Sequence, residues 1–196
     1  MAEQDKRAAF EVLAMPYLDM LYGTALRLTH VPADAEDLVQ ESYLKAFKSF
    51  DQFELGTNFK AWIFKILTNN FNNKYKKDKR TPEPVSIEDT PDFYLYEKVT
   101  DMMGGGGESP EKEFLKKFIP ENIKRAVQDL PDEYRMTFIL SDVNDFSYDE
   151  IAQITEVNLG TVKSRLFRAR RMLQRALWEY AKEQGIVHGE PDPEIL

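Results

Sequence analysis

Six cationic side chains, Lys163, Arg165, Arg168, Arg170, Arg171 and Arg175, fall in one short stretch that holds no acid from Asn158 to Arg175. The chain as a whole is acidic, with a formal net charge of -8 over 196 residues. A concentrated cationic face on an acidic chain serves a local purpose, and a polyanionic nucleic acid is the partner it suits. Arginine adds the means to read sequence, because its planar fork meets guanine O6 and N7 together.

The surrounding residues predict the elements that carry this face. Ser147 and Glu150 fit a capping box, S-x-x-E, at the start of a short helix with Ile151, Ala152 and Ile154 on its core side. A tight turn follows, and Asn158 to Thr161 start a second helix. On that helix Leu159, Val162, Leu166, Ala169 and Leu173 recur at helical spacing and form the buried face. Lys163, Ser164, Phe167, Arg168 and Arg171 fall away from it. Two short helices with a cationic second member read as a helix-turn-helix, whose second helix suits the major groove. Ahead of it, Ile123, Ala126, Val127 and Leu130 form another stripe. Pro131, Asp132 and Glu133 suit the first turn of a helix that holds Tyr134, Met136, Phe138, Ile139 and Leu140.

A second candidate site lies in the first segment, residues 5–80. Three amphipathic helices are predicted there. The first carries Phe10, Leu13, Ala14, Tyr17, Leu18, Leu21, Ala25 and Leu28. The second, capped by Asp34, carries Leu38, Val39, Tyr43, Ala46 and Phe47. The third, capped by Thr57 or Asn58, carries Phe59, Trp62, Ile63, Ile66, Leu67 and Phe71. Lys60, Lys65, Lys74, Lys76, Lys77, Lys79 and Arg80 accompany this third stripe, with Asp78 as the one acid from Phe59 to Arg80. Amides at Asn69, Asn70, Asn72 and Asn73 can read base edges while the cations hold phosphate. Phe64 and Tyr75 fall partly off the apolar stripe and are the aromatic candidates for DNA contact. On the second helix Asp37 and Glu41 share a face at i, i+4 with Gln40 beside them, an arrangement that a basic partner would relieve.

Between these segments, residues 81–112 read as a flexible acidic linker with prolines and the glycine run Gly104 to Gly107. Within it Phe93-Tyr94-Leu95-Tyr96 is an apolar island suited to docking. Residues 113–181 form the second domain and 182–196 a tail. The fold expected is therefore all-α: two small helical domains, the C-terminal one with the helix-turn-helix.

Several function classes are disfavoured. Without cysteine there are no disulfides or thiolate chemistry. His30 and His188 are far apart in sequence and offer no cluster for a metal. No nucleophile–base pair is visible, and the glycine run lacks the Lys-Ser/Thr of a P-loop. Neither an enzyme nor a cofactor nor a metal site is expected. No run reaches the roughly 18 apolar residues of a membrane helix, and Met1 to Ala9 is too polar for a signal peptide, so a cytoplasmic protein is expected.

Five stretches carry a family resemblance. Leu130-Pro-Asp-Glu-Tyr-Arg, Tyr148-Asp-Glu-Ile-Ala and Gly160-Thr-Val-Lys-Ser-Arg-Leu-Phe-Arg-Ala-Arg resemble domain four of the extracytoplasmic-function (ECF) sigma factors of bacterial RNA polymerase. Asp37-Leu-Val-Gln-Glu, followed by Tyr43 and Lys45-Ala, resembles the polymerase-binding helix of the same family. Phe59 to Tyr75 resembles its −10 segment. The resemblance implies −35 contacts from Lys163, Ser164, Arg165, Phe167, Arg168 and Arg171. It implies −10 contacts from Lys65, Asn69, Asn73 and Lys74, with the loop Phe50 to Asn58 forming part of a pocket for an extruded base. Asp37, Gln40 and Glu41 would meet the clamp helices of the largest polymerase subunit, and the flap of the second-largest subunit is a further implied contact. An anti-sigma factor is the implied regulator. The alternative is a helix-turn-helix regulator that binds duplex DNA without polymerase, which leaves the first segment's motifs unused.

Overall fold

The computed structural model describes residues 3–75, residues 121–183 and Gly189. The linker expected at 81–112, the Phe93–Tyr96 island, the cations at Lys76, Lys77, Lys79 and Arg80, and most of the expected tail lie outside the described residues. The described elements are helical, and the chain divides into two compact units.

The first unit contains α1 (Glu3–Ala14), α2 (Leu18–Thr29), α3 (Pro32–Lys48) and α4 (Phe59–Tyr75). The expected single helix over residues 10–28 is therefore two. A short 3-10 turn, Met15–Tyr17, separates them, because Pro16 cannot continue the hydrogen-bond ladder. α2 ends at His30, which takes the left-handed conformation with φ 64° and donates its N–H to the Leu26 carbonyl. α3 starts two residues before the expected cap. Pro32 occupies its first turn after the extended Val31, so Asp34 stands inside that turn, where an acid suits the helix dipole. Asn58 caps α4, its side-chain oxygen accepting from the Ala61 N–H at 3.0 Å.

α3 packs against both α2 and α4. Phe10 of α1 anchors an aromatic cluster, meeting Tyr43, Phe47, Phe50 and Phe59 edge-on at centroid distances of 5.4–6.2 Å. The Tyr43 hydroxyl donates to the Ala14 carbonyl at 2.7 Å, and burial, with Asp19 adding, pushes its pKa up to about 12. Phe59, Ile63, Leu67 and Phe71 are buried as the periodicity predicts, and Trp62 packs on Phe53 and Phe59. Phe64 departs from the expectation of an outward aromatic: it is fully buried, because α4 buries a wider arc than one stripe.

The second unit holds α5 (Glu121–Gln128), α6 (Asp132–Phe138), the start of α7 (Tyr148–Thr155) and α8 (Leu159–Glu183), with Ala152–Glu156 grouped with the first unit. A π-turn, Ile139–Val143, extends α6. The expected stripe Ile123, Ala126, Val127 and Leu130 is buried. The capping box is present: the Ser147 N–H donates to Glu150 Oε2 at 2.8 Å, and the Glu150 N–H donates to Ser147 Oγ at 3.3 Å. α7 stops where Glu156 takes φ 57°, and Asn158 Oδ1 then accepts from the Thr161 N–H at 2.7 Å to start α8. α8 packs on α5 and α6 through Val162, Leu166, Ala169, Leu173 and Leu177. Leu159, expected on that buried face, is instead exposed at the first position of the helix. Lys182 and Glu183, expected in the tail, form the end of α8.

Candidate nucleic-acid interface

The cations of α8 divide into two sets. Lys163, Arg171 and Arg175 are exposed, and with the half-buried Phe167 they recur every four residues along one side of the helix. At 1.5 Å per residue this row is about 18 Å long. Arg168 is half-buried beside the row, with Nη1 donating to the Tyr134 hydroxyl at 3.0 Å. The inward set holds the unit together. Arg165 is only 9% exposed, and its Nη2 lies 3.3 Å from Glu133 Oε2. Arg170 Nη2 lies 3.2 Å from Asp142 Oδ1. Burial pushes the Asp142 carboxyl up to about 6, against the opposing pull of Arg170.

Two residues expected on the reading face are therefore placed elsewhere. Arg165 follows Val162 by three residues and precedes Ala169 by four, so helical geometry sets it on the buried side. Ser164 is also buried, and its hydroxyl donates to the Thr161 carbonyl at 3.0 Å. Lys163, Phe167, Arg168 and Arg171 remain at or near the surface.

The first unit contains an open groove of about 380 Å³ lined by Lys45, Lys48, Ser49, Ile66, Asn69, Asn70 and Asn73. Two of the expected strand-reading residues, Asn69 and Asn73, meet here; Lys65 and Lys74 are not in its lining. The asparagines differ in state. Asn69 is half-buried and Asn73 exposed, whereas Asn70 is 3% exposed. Asn70 Oδ1 accepts from Lys45 Nζ at 2.6 Å, and its Nδ2 donates to Ser42 Oγ at 3.0 Å. Asn70 thus fastens α4 to α3 and is not available as an expected base reader. The loop Phe50 to Asn58 does not line the groove either. Phe50 and Phe53 turn inward to meet Phe59, leaving Ser49 as the nearest contributor. The sequence assigns none of Lys45, Lys48, Ser49 and Ile66 to strand reading: Lys45 enters it only within the polymerase-binding motif, and Ile66 only on the apolar stripe. Lys45 does stand one turn after Glu41, a spacing that points to it.

The outward stripe of α3 holds Asp37 and Gln40, both exposed, and the half-exposed Glu41. Glu41 Oε1 lies 2.8 Å from Lys45 Nζ, and this hydrogen bond holds its carboxyl below the usual range. Asp37 Oδ2 is 3.9 Å from Lys74 Nζ.

Comparison with known proteins places the chain in a family. Residues 13–81 match Sigma-70 region 2, and residues 121–173 match Sigma-70 region 4. The chain is 30% identical to the ECF RNA polymerase sigma-E factor of Escherichia coli over 176 residues, covering 87% of each. The chain belongs to the ECF sigma factors. This sigma factor is also 31% identical to the RNA polymerase sigma-H factor of Pseudomonas aeruginosa, over 91% of each chain. Among solved structures it is similar to the sigma factor RpoE of Bartonella quintana, determined with the anti-sigma factor NepR, at 28% identity and a TM-score of 0.59, covering 87% of this chain and 97% of that one. As a sigma factor it works with RNA polymerase on promoter DNA in transcription initiation. No helix among the described residues is long and apolar enough to cross a membrane.

Proposed function

We propose that this sigma factor is a dissociable specificity subunit, without enzymatic activity of its own, that acts in the cytoplasm through three surfaces. The domain spanning residues 5–80 seats on core polymerase through Asp37, Gln40 and Glu41 of α3. Its groove, with Asn69 and Asn73, takes the melted −10 strand, and Lys65 and Lys74 supply charge for its backbone. The domain spanning residues 113–181 reads the −35 element with Lys163, Phe167, Arg168 and Arg171 of α8. Ser164 and Arg165 support that surface from within.

The observation that carries this reading is the pairing, within one small unit, of an acid–amide stripe on α3 with an asparagine–lysine groove beside it. A basic protein surface suits the first, and an unstacked base the second. Each DNA contact alone can be weak, because two binding units joined through one assembly gain effective concentration. Net charge of -8 limits indiscriminate DNA binding by the free protein. The solved complex of B. quintana RpoE with NepR supports an anti-sigma factor as a further partner.

The test is transcription in vitro by core polymerase plus this protein on a promoter library, with start sites sequenced. Aligned −35 and −10 elements upstream of the starts are expected. Tight duplex binding by the protein alone, with no initiation, would sink the reading.

A further inference from the structure

Lys45 stands where the two surfaces of the first unit meet. Its Nζ lies 2.8 Å from Glu41 Oε1 and 2.6 Å from Asn70 Oδ1. Glu41 belongs to the outward stripe of α3, whereas Lys45 and Asn70 line the groove. A second lysine repeats the arrangement: Lys74 Nζ is 3.9 Å from Asp37 Oδ2, and its charge also acts on Glu41. Both carboxylates of the stripe are thus countered by lysines at or beside the groove.

We propose that Lys45 is a positioning residue shared by the two surfaces: Glu41 holds its ammonium in the free protein, and docking of Glu41 on a cationic partner surface releases that ammonium to a strand phosphate in the groove. This rests on the assignment of α3 to polymerase and of the groove to the −10 strand. The exchange is cheap. Both side chains are roughly half exposed, at 49% and 42%, and pairs of this kind are weak. A lysine shared with a carboxylate at 2.8 Å offers a phosphate little net charge, so separating the two raises the pull of the groove on nucleic acid. Lys45 stays close to the groove whichever partner it takes, because α3 fixes its backbone and Asn70 is anchored to Ser42. By linkage, a strand in the groove then strengthens attachment to polymerase by the same factor.

The experiment measures binding of the full chain to short fluorescent single-stranded DNA oligomers of random sequence at low salt. Glu41→Gln is expected to tighten binding by up to about twofold, the scale of one i, i+4 ion pair. Glu36→Gln removes the same charge from an exposed position of α3 and controls for net charge. It should tighten binding less. The gain from Glu41→Gln should vanish in a Lys45→Gln background and persist with Lys45→Arg. Equal gains from Glu41→Gln and Glu36→Gln, while Lys45→Gln and Asn69→Ala still weaken binding, would overturn the shared role of Lys45 alone. If Lys45→Gln and Asn69→Ala leave binding unchanged, the assignment of the groove to single-stranded DNA fails, and the inference falls with it.

Discussion

Arg165 of α8 reaches back to Glu133 of α6, with 3.3 Å between Nη2 and Oε2, and side-chain exposures of only 10% and 7%. A cation of α8, expected on its outward face, is therefore an internal fastener. Removing one partner of a buried pair leaves the other charge stranded, at a cost of about 3–5 kcal/mol. Arg165→Ala is expected to destabilise the second unit on that scale, seen as an early transition in thermal unfolding followed by circular dichroism. Arg165→Met with Glu133→Leu should restore most of the stability, since apolar replacement of a buried pair is often neutral.

Arg171 and Lys163 should behave in the opposite way. Both are exposed on the outward row. Arg171→Ala or Lys163→Ala is expected to change stability by no more than about 0.5 kcal/mol, as for surface substitutions generally. Promoter binding by the holoenzyme should weaken, and removing a cation that pairs with a phosphate should reduce the salt slope by about 1. Filter binding across a salt series reads both effects.

Neighbouring asparagines offer a sharp contrast. Asn70 is buried and bonded to Lys45 and Ser42. Asn70→Ala is expected to cost about 1–3 kcal/mol of stability, because it removes two hydrogen bonds between α3 and α4 and leaves the buried Ser42 oxygen without its donor. Asn69→Ala should cost little stability and instead lower open-complex formation, read as permanganate reactivity of promoter thymines.

These two asparagines show what the sequence conveys and what it hides. Helical periodicity places the buried stripes of α5 and most of α8 correctly, because each side chain's face follows from its spacing. It misses the break at Pro16, where Leu13, Ala14, Tyr17 and Leu18 continue an apolar rhythm across the interruption. Charge alone groups Arg165 with the reading face, although its spacing from Val162 and Ala169 points inward. The groove is only half legible. Asn69 and Asn73 stand out in α4, but their neighbours Lys45, Lys48 and Ser49 come from α3 and the turn that follows it, and only folding brings these together.

Asp142 makes the second unit sensitive to pH. Burial pushes its carboxyl up to about 6, above an unfolded value of about 4. The folded state thus holds this proton more tightly than the unfolded chain. The resulting stabilisation is fully present below about pH 4 and disappears as pH rises through about 6. Asp142→Asn removes the titration. The stability of the original protein relative to this variant is expected to fall between about pH 4 and pH 7 and to level off above, measured by parallel thermal melts.

α8 is one unbroken helix of 25 residues whose inner side is the spine of its unit and whose outer side carries the row Lys163, Phe167, Arg171 and Arg175. Spine and row are locked in phase. Inserting or deleting one residue between Lys163 and Arg171 would turn every later side chain by about 100° and bring cations into the core. On the proposed assignment of this row to the −35 element, new promoter preferences arise by exchanging side chains along it, while its length and registry are held by the packing behind it.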